Sequence, residues 1–351
     1  MTSAWLCPVP ASILPDRISL AHGEGARLSR QLLQEFILPM LSGGGSPGNQ
    51  PAAICDAAVL RSAGHLAFCT DAHTITPLHF PGGDLGSLAV IGTVNDLAVA
   101  GAVPRWLSLS LIIEEGFPLA ELGPLLQSAG RTARECGVQI VAGDTKVVPR
   151  GAADRIFMVT SGIGEFEHSP PPGPSEIREG DRVIISGDIG RHGIAVLAAR
   201  GQLQSSVQSD CGSLIPATTA LRAQLSNQLR CLRDCTRGGL AAVLHEWATA
   251  TPLAFELTDA QLPVGPAVRG ACELLGLEPL HLPNEGTFAA VVAPEAADAA
   301  IEVLRQFPSH ASAAVIGTVT SRNFSPVLVA RGHGRPRPLD EPAGAPLPRI
   351  C

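Results

Sequence analysis

The sequence predicts a layered α/β fold in two halves, and three observations lead to this prediction. Short apolar segments typical of strands alternate with segments of helical periodicity throughout the chain. The proline-rich run EHSPPPGPS at 167–175 divides the chain, because consecutive prolines fit neither a helix nor a central strand. A chain of 351 residues and 36.3 kDa is long enough for two domains with a buried core.

In the first half, alternating patterns predict three strands and two helices before a last strand. The helix at 84–102 begins at Asp84, a favourable N-cap, and its apolar residues recur at helical spacing. The helix at 119–137 is amphipathic and ends at Gly137, where a C-terminal cap belongs. The predicted strands are 66–71, 107–113, 138–143 and 156–164.

The second half repeats this mixture of elements. Helices are predicted at 192–201 and 236–250, the second with glycine near its start. The predicted strands are 182–187, 290–293, 313–319 and 326–330. The predicted organisation is therefore a disordered lead-in at 1–17, an N-terminal domain at 18–166, a linker at 167–175, a C-terminal domain at 176–339 and a mobile tail at 340–351.

Composition and charge restrict the class of protein. The chain is 45% hydrophobic and 16% charged, which argues against disorder, and its net charge of −7 argues against a general nucleic-acid-binding role. The absence of a run of eighteen apolar residues and of a signal-peptide pattern predicts a protein outside the membrane. Nine scattered cysteines without a CxxC pair fit reduced thiols in the cytoplasm better than a disulfide framework.

Acidic residues at the ends of predicted elements are the most informative feature of the sequence. Asp71 and Asp144 each directly follow an apolar strand, and Asp56 and Asp96 are acidic residues of the same half. Ligands bind at strand ends in α/β sheets, and carboxylates that converge there hold Mg²⁺ together with nucleotide phosphates. The alternative for each aspartate is a turn or helix cap, because its side chain accepts hydrogen bonds from nearby backbone N–H groups.

Three other segments carry candidate functional residues. Lys146 follows Asp144 closely and could neutralise charge on a phosphate or a transferring oxygen. RDCTRGG at 233–239 places glycines before a helix, where free N–H groups can face a phosphate. LPNEG at 282–286 precedes a strand, so its glutamate is either a positioned base or a turn residue. There is no P-loop, and His73 and His79 near Asp71 are weaker metal-ligand candidates.

The chain ends in a thiol on a segment rich in proline. DEPAGAPLPRIC at 340–351 predicts an extended arm, and an exposed thiolate at Cys351 can hold an acyl-type group. The alternative is an exposed cysteine without a role.

These strings together resemble the HypE family of hydrogenase maturation factors. The resemblance covers the chain from about residue 18 onward, and its most specific parts are the string at 69–102 and the terminal PRIC at 348–351. Other matching strings are LAHGEG (20–25), GVQIVAGDTKVVPRGAAD (137–154), SGDIGRHG (186–193), SDC (209–211), RDCTRGGLAAVLHE (233–246) and LPNEG (282–286).

The resemblance implies a two-domain, PurM-like (AIR-synthetase-like) ATP-binding fold and a cytoplasmic homodimer that uses ATP and Mg²⁺. It implies that a carbamoyltransferase, HypF, loads a carbamoyl group onto the terminal cysteine. Dehydration with ATP then gives a thiocyanate, whose cyano group passes to iron on a HypC–HypD complex in [NiFe]-hydrogenase maturation.

Carried over residue by residue, the resemblance makes Cys351 the carrier and places Lys146 and Glu285 beside the reacting group. The positions that match the Mg-ATP carboxylates are Asp56, Asp71, Asp96 and Asp144. The other positions implied for cofactor binding are Asn95, Asp234, Thr236, Gly238 and Asn284. One departure is visible at GEGAR (23–27), where Glu24 would oppose a triphosphate unless it faces away.

Two other functions fit the same residues. A sister enzyme on this scaffold, such as thiamine-monophosphate kinase, selenophosphate synthetase or AIR synthetase, would share the acidic ATP site but give the terminal PRIC no role. A non-catalytic thiol carrier would use Cys351 without ATP.

Overall fold

The computed structural model of the protein describes residues 16–23, 27–42, 60, 62, 64–168, 171, 173–332, 335–342 and 350. In chain order its first half contains α1 (Arg27–Leu32), a π-helical turn (Leu33–Ile37), α2 (Leu38–Ser42), β1 (Leu66–His73), β2 (His79–Phe80), β3 (Gly83–Asp84), α3 (Leu85–Ala100), β4 (Val103–Glu114), α4 (Leu119–Glu135), β5 (Gln139–Val148) and β6 (Ile156–Glu165). The sequence analysis identified every long element here except the helical segment at 27–42.

Helix α3 is the central element of the first half. The Asp84 carboxylate accepts a hydrogen bond from the Ser87 N–H at 2.9 Å, and the Ser87 hydroxyl accepts one from the Asp84 N–H at 3.0 Å, which forms a capping box. Gly101 ends the helix with a φ of 90°, a left-handed conformation that favours glycine. Between these caps α3 is buried on nearly every side, because it packs against the first sheet, α4 and the second half.

The first sheet has the strand order β1-β6-β4-β5 and two different faces. Side chains of one face pack against α3: the Thr160 hydroxyl on β6 lies 2.6 Å from that of Thr93 and donates to the Ala89 carbonyl at 3.1 Å. The opposite face carries exposed apolar side chains, among them Phe68, which is 69% exposed. We call these the α3 face and the open face.

The second half contains β7 (Arg182–Ile185), α5 (Arg191–Ala199), α6 (Ile215–Leu225), β8 (Leu229–Asp234), α7 (Gly239–Ala250), β9 (Leu253–Thr258), α8 (Pro266–Leu275), β10 (Phe288–Val292), α9 (Ala297–Leu304), β11 (Ala314–Ser321), β12 (Val327–Ala330) and β13 (Arg337–Pro338). Seven strands form one sheet in the order β13-β12-β9-β11-β7-β10-β8. Separate apolar clusters involve α7 and the pair α6 and α9. The sequence analysis did not identify α6, α8, α9, β8, β9 or β13.

The two halves share apolar packing. One core cluster joins Leu88 of α3 to Ile194 of α5, Val268 of α8 and Leu282. This shared core fixes the second half against α3, so polar groups from both halves can meet at the end of that helix. Within the described ranges, no helix combines the length and the apolar character that a bilayer crossing requires.

Candidate functional site

Two of the predicted aspartates meet between β1 and α3. Asp71 lies on the α3 face, where its carboxylate accepts a hydrogen bond from the Thr93 hydroxyl at 2.9 Å. One ligand atom each from Cys69, Asp71 and Asp96 lies within 4.8 Å of the others. Asp71 was predicted to follow its strand, but β1 continues to His73 because Asp71 remains paired with Thr160 in the ladder.

A third carboxyl group reaches this cluster from the second half. Asp234 ends β8 and is buried, and its side chain is hydrogen-bonded to that of Asp96. Burial, followed by the charges of Asp234 and Asp71, raises the pKa of Asp96 to about 7. Burial also raises the pKa of Asp234. Carboxyl groups held this close fit a divalent cation, because the cation would offset both the repulsion and the desolvation.

We expect Asp96→Asn to stabilise the ligand-free protein at pH 8. A carboxyl whose pKa is raised by folding contributes stability below its ordinary pKa, near 4, and loses it as the pH rises through about 7. Removing this titration should raise the free energy of unfolding at pH 8 by about 2–4 kcal/mol, with little change at pH 4. Urea unfolding at both pH values without divalent cations measures this difference, with the exposed Asp298→Asn as the matched control. A less stable Asp96→Asn protein at pH 8 would contradict the interpretation.

Asp144 and Lys146 do not join these carboxyl groups within one chain. Both lie inside β5, which continues to Val148 rather than ending before Asp144 as predicted. They pair with Ser110 and Ile112 of β4, and paired side chains of neighbouring strands share a face. That face is the open face, opposite Asp71. The sheet therefore separates them from the acidic cluster and from Glu285, which the sequence analysis had placed beside Lys146.

Some predicted positions lie outside the described residues. These are Asp56, Cys351 and residues 24–26 of the GEGAR segment. The weaker metal-ligand candidates are described, and neither histidine belongs to the ligand group formed by Cys69, Asp71 and Asp96. His73 is buried against α3, and burial lowers its pKa to about 4, whereas His79 is exposed on the β2–β3 hairpin.

Glu285 is a buried carboxyl group at the junction of the two halves. Its side chain is 3% exposed, and its Oε1 atom has no hydrogen-bond partner. Burial, followed by the charge of Asp210, raises the pKa of Glu285 well above its ordinary value. An unsatisfied buried carboxyl oxygen is costly to maintain, and such groups are concentrated at functional sites.

Asp210 holds the Glu285 loop in place, a role that the sequence analysis missed. Its carboxylate accepts hydrogen bonds from the N–H groups of Glu285 and Gly286, at 3.1 and 3.0 Å, and from the Thr287 hydroxyl at 2.9 Å. A Cβ atom at Gly286 would lie 1.8 Å from the Asp210 carbonyl oxygen, so only glycine fits there. The string SDC was the available signal, but nothing in it indicated a contact 75 residues away.

Asn95 and Asn284, the two asparagines predicted to bind the cofactor, hydrogen-bond to backbone groups of other segments. The Asn95 amide donates to the carbonyls of Gly212 and Glu285 and accepts from the Leu214 N–H, which joins α3 to both segments of the second half. The Asn284 amide donates to the Cys235 and Leu282 carbonyls and accepts from the Gly190 N–H at 2.7 Å. Because both amide hydrogens are used in each case, these residues position the site and have no donor left for a cofactor.

The predicted phosphate region surrounds the start of α7. Thr236 precedes a left-handed turn in which Gly238 and Gly239 have φ values of 78° and 60°. Helix α7 begins at Gly239, three residues later than predicted, because this turn is not helical. Arg237 is exposed beside the turn, and its charge is one of the causes that lower the pKa of His73. Asp234 directly precedes this segment, so a phosphate at the turn would lie near the acidic cluster.

The described part of the predicted mobile tail is docked on the second half. The carbonyls of Leu339 and Asp340 accept hydrogen bonds from His245 at 2.9 Å and His281 at 3.1 Å. Near the other end, Ile350 is 4% exposed and belongs to the core cluster shared by both halves. The described residues of this segment thus lie against the body of the protein.

Comparison with known proteins gives consistent matches for both halves. Residues 55–166 match the N-terminal domain of AIR synthase related protein, and residues 178–328 match its C-terminal domain. The chain is 42% identical to carbamoyl dehydratase HypE of Escherichia coli K12 over 339 residues, which cover 96% of this chain and all of that protein. It is 43% identical to carbamoyl dehydratase HypE of Bradyrhizobium diazoefficiens over 337 residues, which cover 95% and 96% of the two chains.

Solved structures show the same similarity. A HypE structure in complex with ATP matches with a TM-score of 0.88 at 41% identity, over 95% of this chain and 99% of that one. A HypE chain from a HypE–HypF complex matches with a TM-score of 0.76 at 41% identity, over 79% and 90%. Thiamine monophosphate kinase of Aquifex aeolicus, at 17% identity and a TM-score of 0.57 over 75% and 87%, shares the fold alone.

Proposed function

Because the chain belongs to the HypE family, the carbamoyl dehydratases of hydrogenase maturation, we propose that its own Cys351 carries the group that is dehydrated. The enzyme is an ATP-dependent carbamoyl dehydratase with PurM-like domains. The observation that carries the proposal is the docked Ile350, because peptide geometry keeps the Cα atom of the next residue about 3.8 Å away. Ile350 thus anchors the chain, one residue before Cys351, to the body of the protein that contains Glu285.

The overall reaction that we propose balances with one ATP. The carboxamide oxygen of Cys351–S–C(O)NH₂ attacks the γ-phosphorus, ADP leaves, and an O-phosphorylated isourea-like group forms. Loss of both N–H protons and cleavage of the C–O bond give Cys351–S–C≡N and inorganic phosphate. The oxygen that would have left as water therefore ends in phosphate.

The acidic cluster is the proposed site of the magnesium ion that accompanies ATP. Asp71 and Asp96 would hold the ion with Asp234 beside them, and the ion would supply positive charge for the nucleotide phosphates. Asp56 is a further proposed ligand that rests on the family resemblance. Thr236 and Gly238 precede α7, where backbone N–H groups can bind phosphate oxygens.

Glu285 is the proposed general base for the nitrogen protons. It is a buried carboxyl group with a free oxygen, and the loop that carries it is fixed by backbone N–H groups that donate to the Asp210 carboxylate. Its raised pKa makes the carboxylate a stronger proton acceptor once it has ionised. Its proposed partner in the chemistry is Lys146 of a second copy, because the sheet separates Lys146 from Glu285 within one chain. This lysine would stabilise the transferring phosphoryl group and the carboxamide oxygen.

In a homodimer, Asp144 and Lys146 would lie at the interface between the two copies. Their side chains leave the open face of the first sheet, where the apolar side chains of Leu66 and Phe68 are 50% and 69% exposed. An apolar sheet face of this kind is typical of an interface. We propose that a second copy covers it and that the site is completed at this interface.

Phe68→Asp is expected to convert the dimer into monomers and to reduce dehydration by at least about tenfold. A charge on the apolar face that the second copy is proposed to cover would have to be desolvated on association. Sedimentation velocity gives the oligomeric state, and a single-turnover assay gives the activity. Phe324→Asp is the matched control, because Phe324 is 72% exposed but lies in the second half. A dimeric Phe68→Asp protein would contradict this interface.

Two partners follow from the proposed chemistry. A carbamoyltransferase of the HypF type would load Cys351, in line with the solved HypE–HypF complex of a relative. We further propose that the cyano group is delivered to iron on a HypC–HypD complex. Both steps require Ile350 to leave its buried position, so that the end of the chain can reach the partner, and then to return to it.

Intact mass measurement tests the proposed function. The protein is incubated with HypF, carbamoyl phosphate and ATP, separated from HypF, and then given Mg-ATP. A carbamoyl gain followed by loss of one water supports the proposal. A thiol carrier would gain the carbamoyl group without losing water, and a sister kinase or synthetase would not gain it.

A further inference from the structure

We propose that His192 is a latch that holds the terminal segment in its dehydration position by binding the backbone of Ile350. His192 lies in the first turn of α5 and is fully buried, and its Nε2 atom lies 2.8 Å from the Ile350 carbonyl oxygen. The proposal rests on the proposed function of Cys351 and adds to it a positioning residue.

The hydrogen-bond directions around His192 are determined by its partners. A carbonyl oxygen can only accept, so Nε2 must carry the hydrogen that points to Ile350. In the neutral ring Nδ1 then accepts from the Ser209 hydroxyl, which lies 2.8 Å away. The Ser209 oxygen in turn accepts from the Cys211 N–H at 3.0 Å. The result is a continuous chain of donors from Cys211 to Ile350, and such chains strengthen one another when buried.

Packing fixes the imidazole ring in addition to these hydrogen bonds. The Phe80 ring meets His192 edge-on, with 5.2 Å between ring centroids and an interplanar angle of 88°. The Ser209 N–H donates to the Pro81 carbonyl at 2.8 Å, which binds the same hairpin to the 209–211 segment. The ring therefore has one orientation, and that orientation presents a donor to the end of the chain.

His192 is also connected, through two neighbouring residues, to the loop that carries Glu285. Asp210, which follows Ser209, holds the backbone of Glu285. Gly190, two residues before His192, donates to the side chain of Asn284. One rigid unit thus carries both the latch and the proposed base, so loss of the hydrogen bond to Ile350 would release the chain from the unit that holds Glu285.

The latch is tested in the full-length protein by the rate at which carboxypeptidase Y releases Cys351 and then Ile350. The first bond cleaved contains the Ile350 carbonyl, so both cleavages require Ile350 to leave its buried position. We expect about 10-fold faster release from His192→Phe, because one buried hydrogen bond to the tail is lost. His192→Gln, whose amide can still donate to the Ile350 carbonyl, should stay within about threefold of wild type. Wild-type release from a correctly folded His192→Phe protein would overturn the proposal.

Two controls separate the latch from a general effect on folding. His245→Phe removes a comparable buried hydrogen bond, to Leu339, and should leave Ile350 release unchanged. Ser209→Ala keeps the histidine but removes the group that orients it, and should accelerate release about threefold. If both His192 variants fail to fold, Ser209→Ala alone decides: release at the wild-type rate overturns the proposal.

A second readout distinguishes failure of the latch from failure of the proposed function. Carbamoylation by HypF should be at least as fast in His192→Phe as in wild type, because loading requires Ile350 to be released. Single-turnover dehydration at saturating Mg-ATP should instead fall about 10-fold and recover in His192→Gln. Equal dehydration by all three proteins would refute the latch alone. Absence of dehydration in wild type, with the difference in Ile350 release intact, would refute the proposed function and leave the latch standing.

Discussion

Cys351→Ala is expected to accept no carbamoyl group from HypF and yet to bind ATP as wild type does. The alanine side chain has no nucleophile, and the other groups proposed for nucleotide binding are unchanged. Intact mass after incubation with HypF, carbamoyl phosphate and ATP measures loading, which should fall by at least about 100-fold. Isothermal titration calorimetry with a non-hydrolysable ATP analogue measures nucleotide affinity.

The matched control for this variant is Cys136→Ala. Cys136 is a half-buried thiol at the end of α4, so its removal tests for an effect of losing any cysteine. This control should be loaded and dehydrated at the wild-type rate. Carbamoylation of Cys351→Ala, at whatever residue, would show that the terminal thiol is not the carrier.

Glu285→Gln is expected to be loaded normally but to dehydrate 10²–10⁴-fold more slowly, the range typical for loss of a general base. Glutamine has nearly the same shape, and the Asp210 carboxylate accepts its hydrogen bonds from backbone N–H groups of the loop, so the fold should persist. The readout is the fraction of S-carbamoyl protein converted to S-cyanate in a single turnover. Glu278→Gln, in an ion pair with Arg331 at the surface, should behave as wild type.

The pH profile gives an independent check on Glu285. Burial raises the pKa of this carboxyl group, so at low pH it is protonated and cannot accept a proton. The wild-type dehydration rate should therefore rise with pH until the carboxyl group ionises. The residual rate of Glu285→Gln should lack this rise. An identical pH dependence in the two proteins would remove Glu285 from the proton transfer.

The local elements of the first half could be predicted from the sequence alone. Helix α3 has a capping aspartate, apolar residues at helical spacing and a terminal glycine, and each of these acts within one or two turns. The second half was predicted less completely. Strands β8 and β9, which were not predicted, are short and lack a strict alternation of buried and exposed residues, so periodicity gives little signal there.

The family, too, could be identified from the sequence, because long strings and the terminal PRIC resemble it closely. The resemblance also selected Asp71, Asp96 and Asp234, which the fold brings together at one end of α3. Asp210 and His192 lie within strings that match the family, but these strings do not indicate which distant residues the two side chains contact.

What only the tertiary structure decided is the face on which each side chain lies and the partner that it meets across the chain. A shift in register between β4 and β5 occurs at Leu107 and Ser108, before the pairs that contain Asp144 and Lys146. A shift of one residue moves a side chain to the other face of the sheet. The closeness of Asp144 and Lys146 to a predicted strand end therefore did not predict the face on which they lie. Asn95 and Glu285 are 190 residues apart and yet hydrogen-bonded, because the core shared by the two halves sets such contacts and no local pattern encodes them.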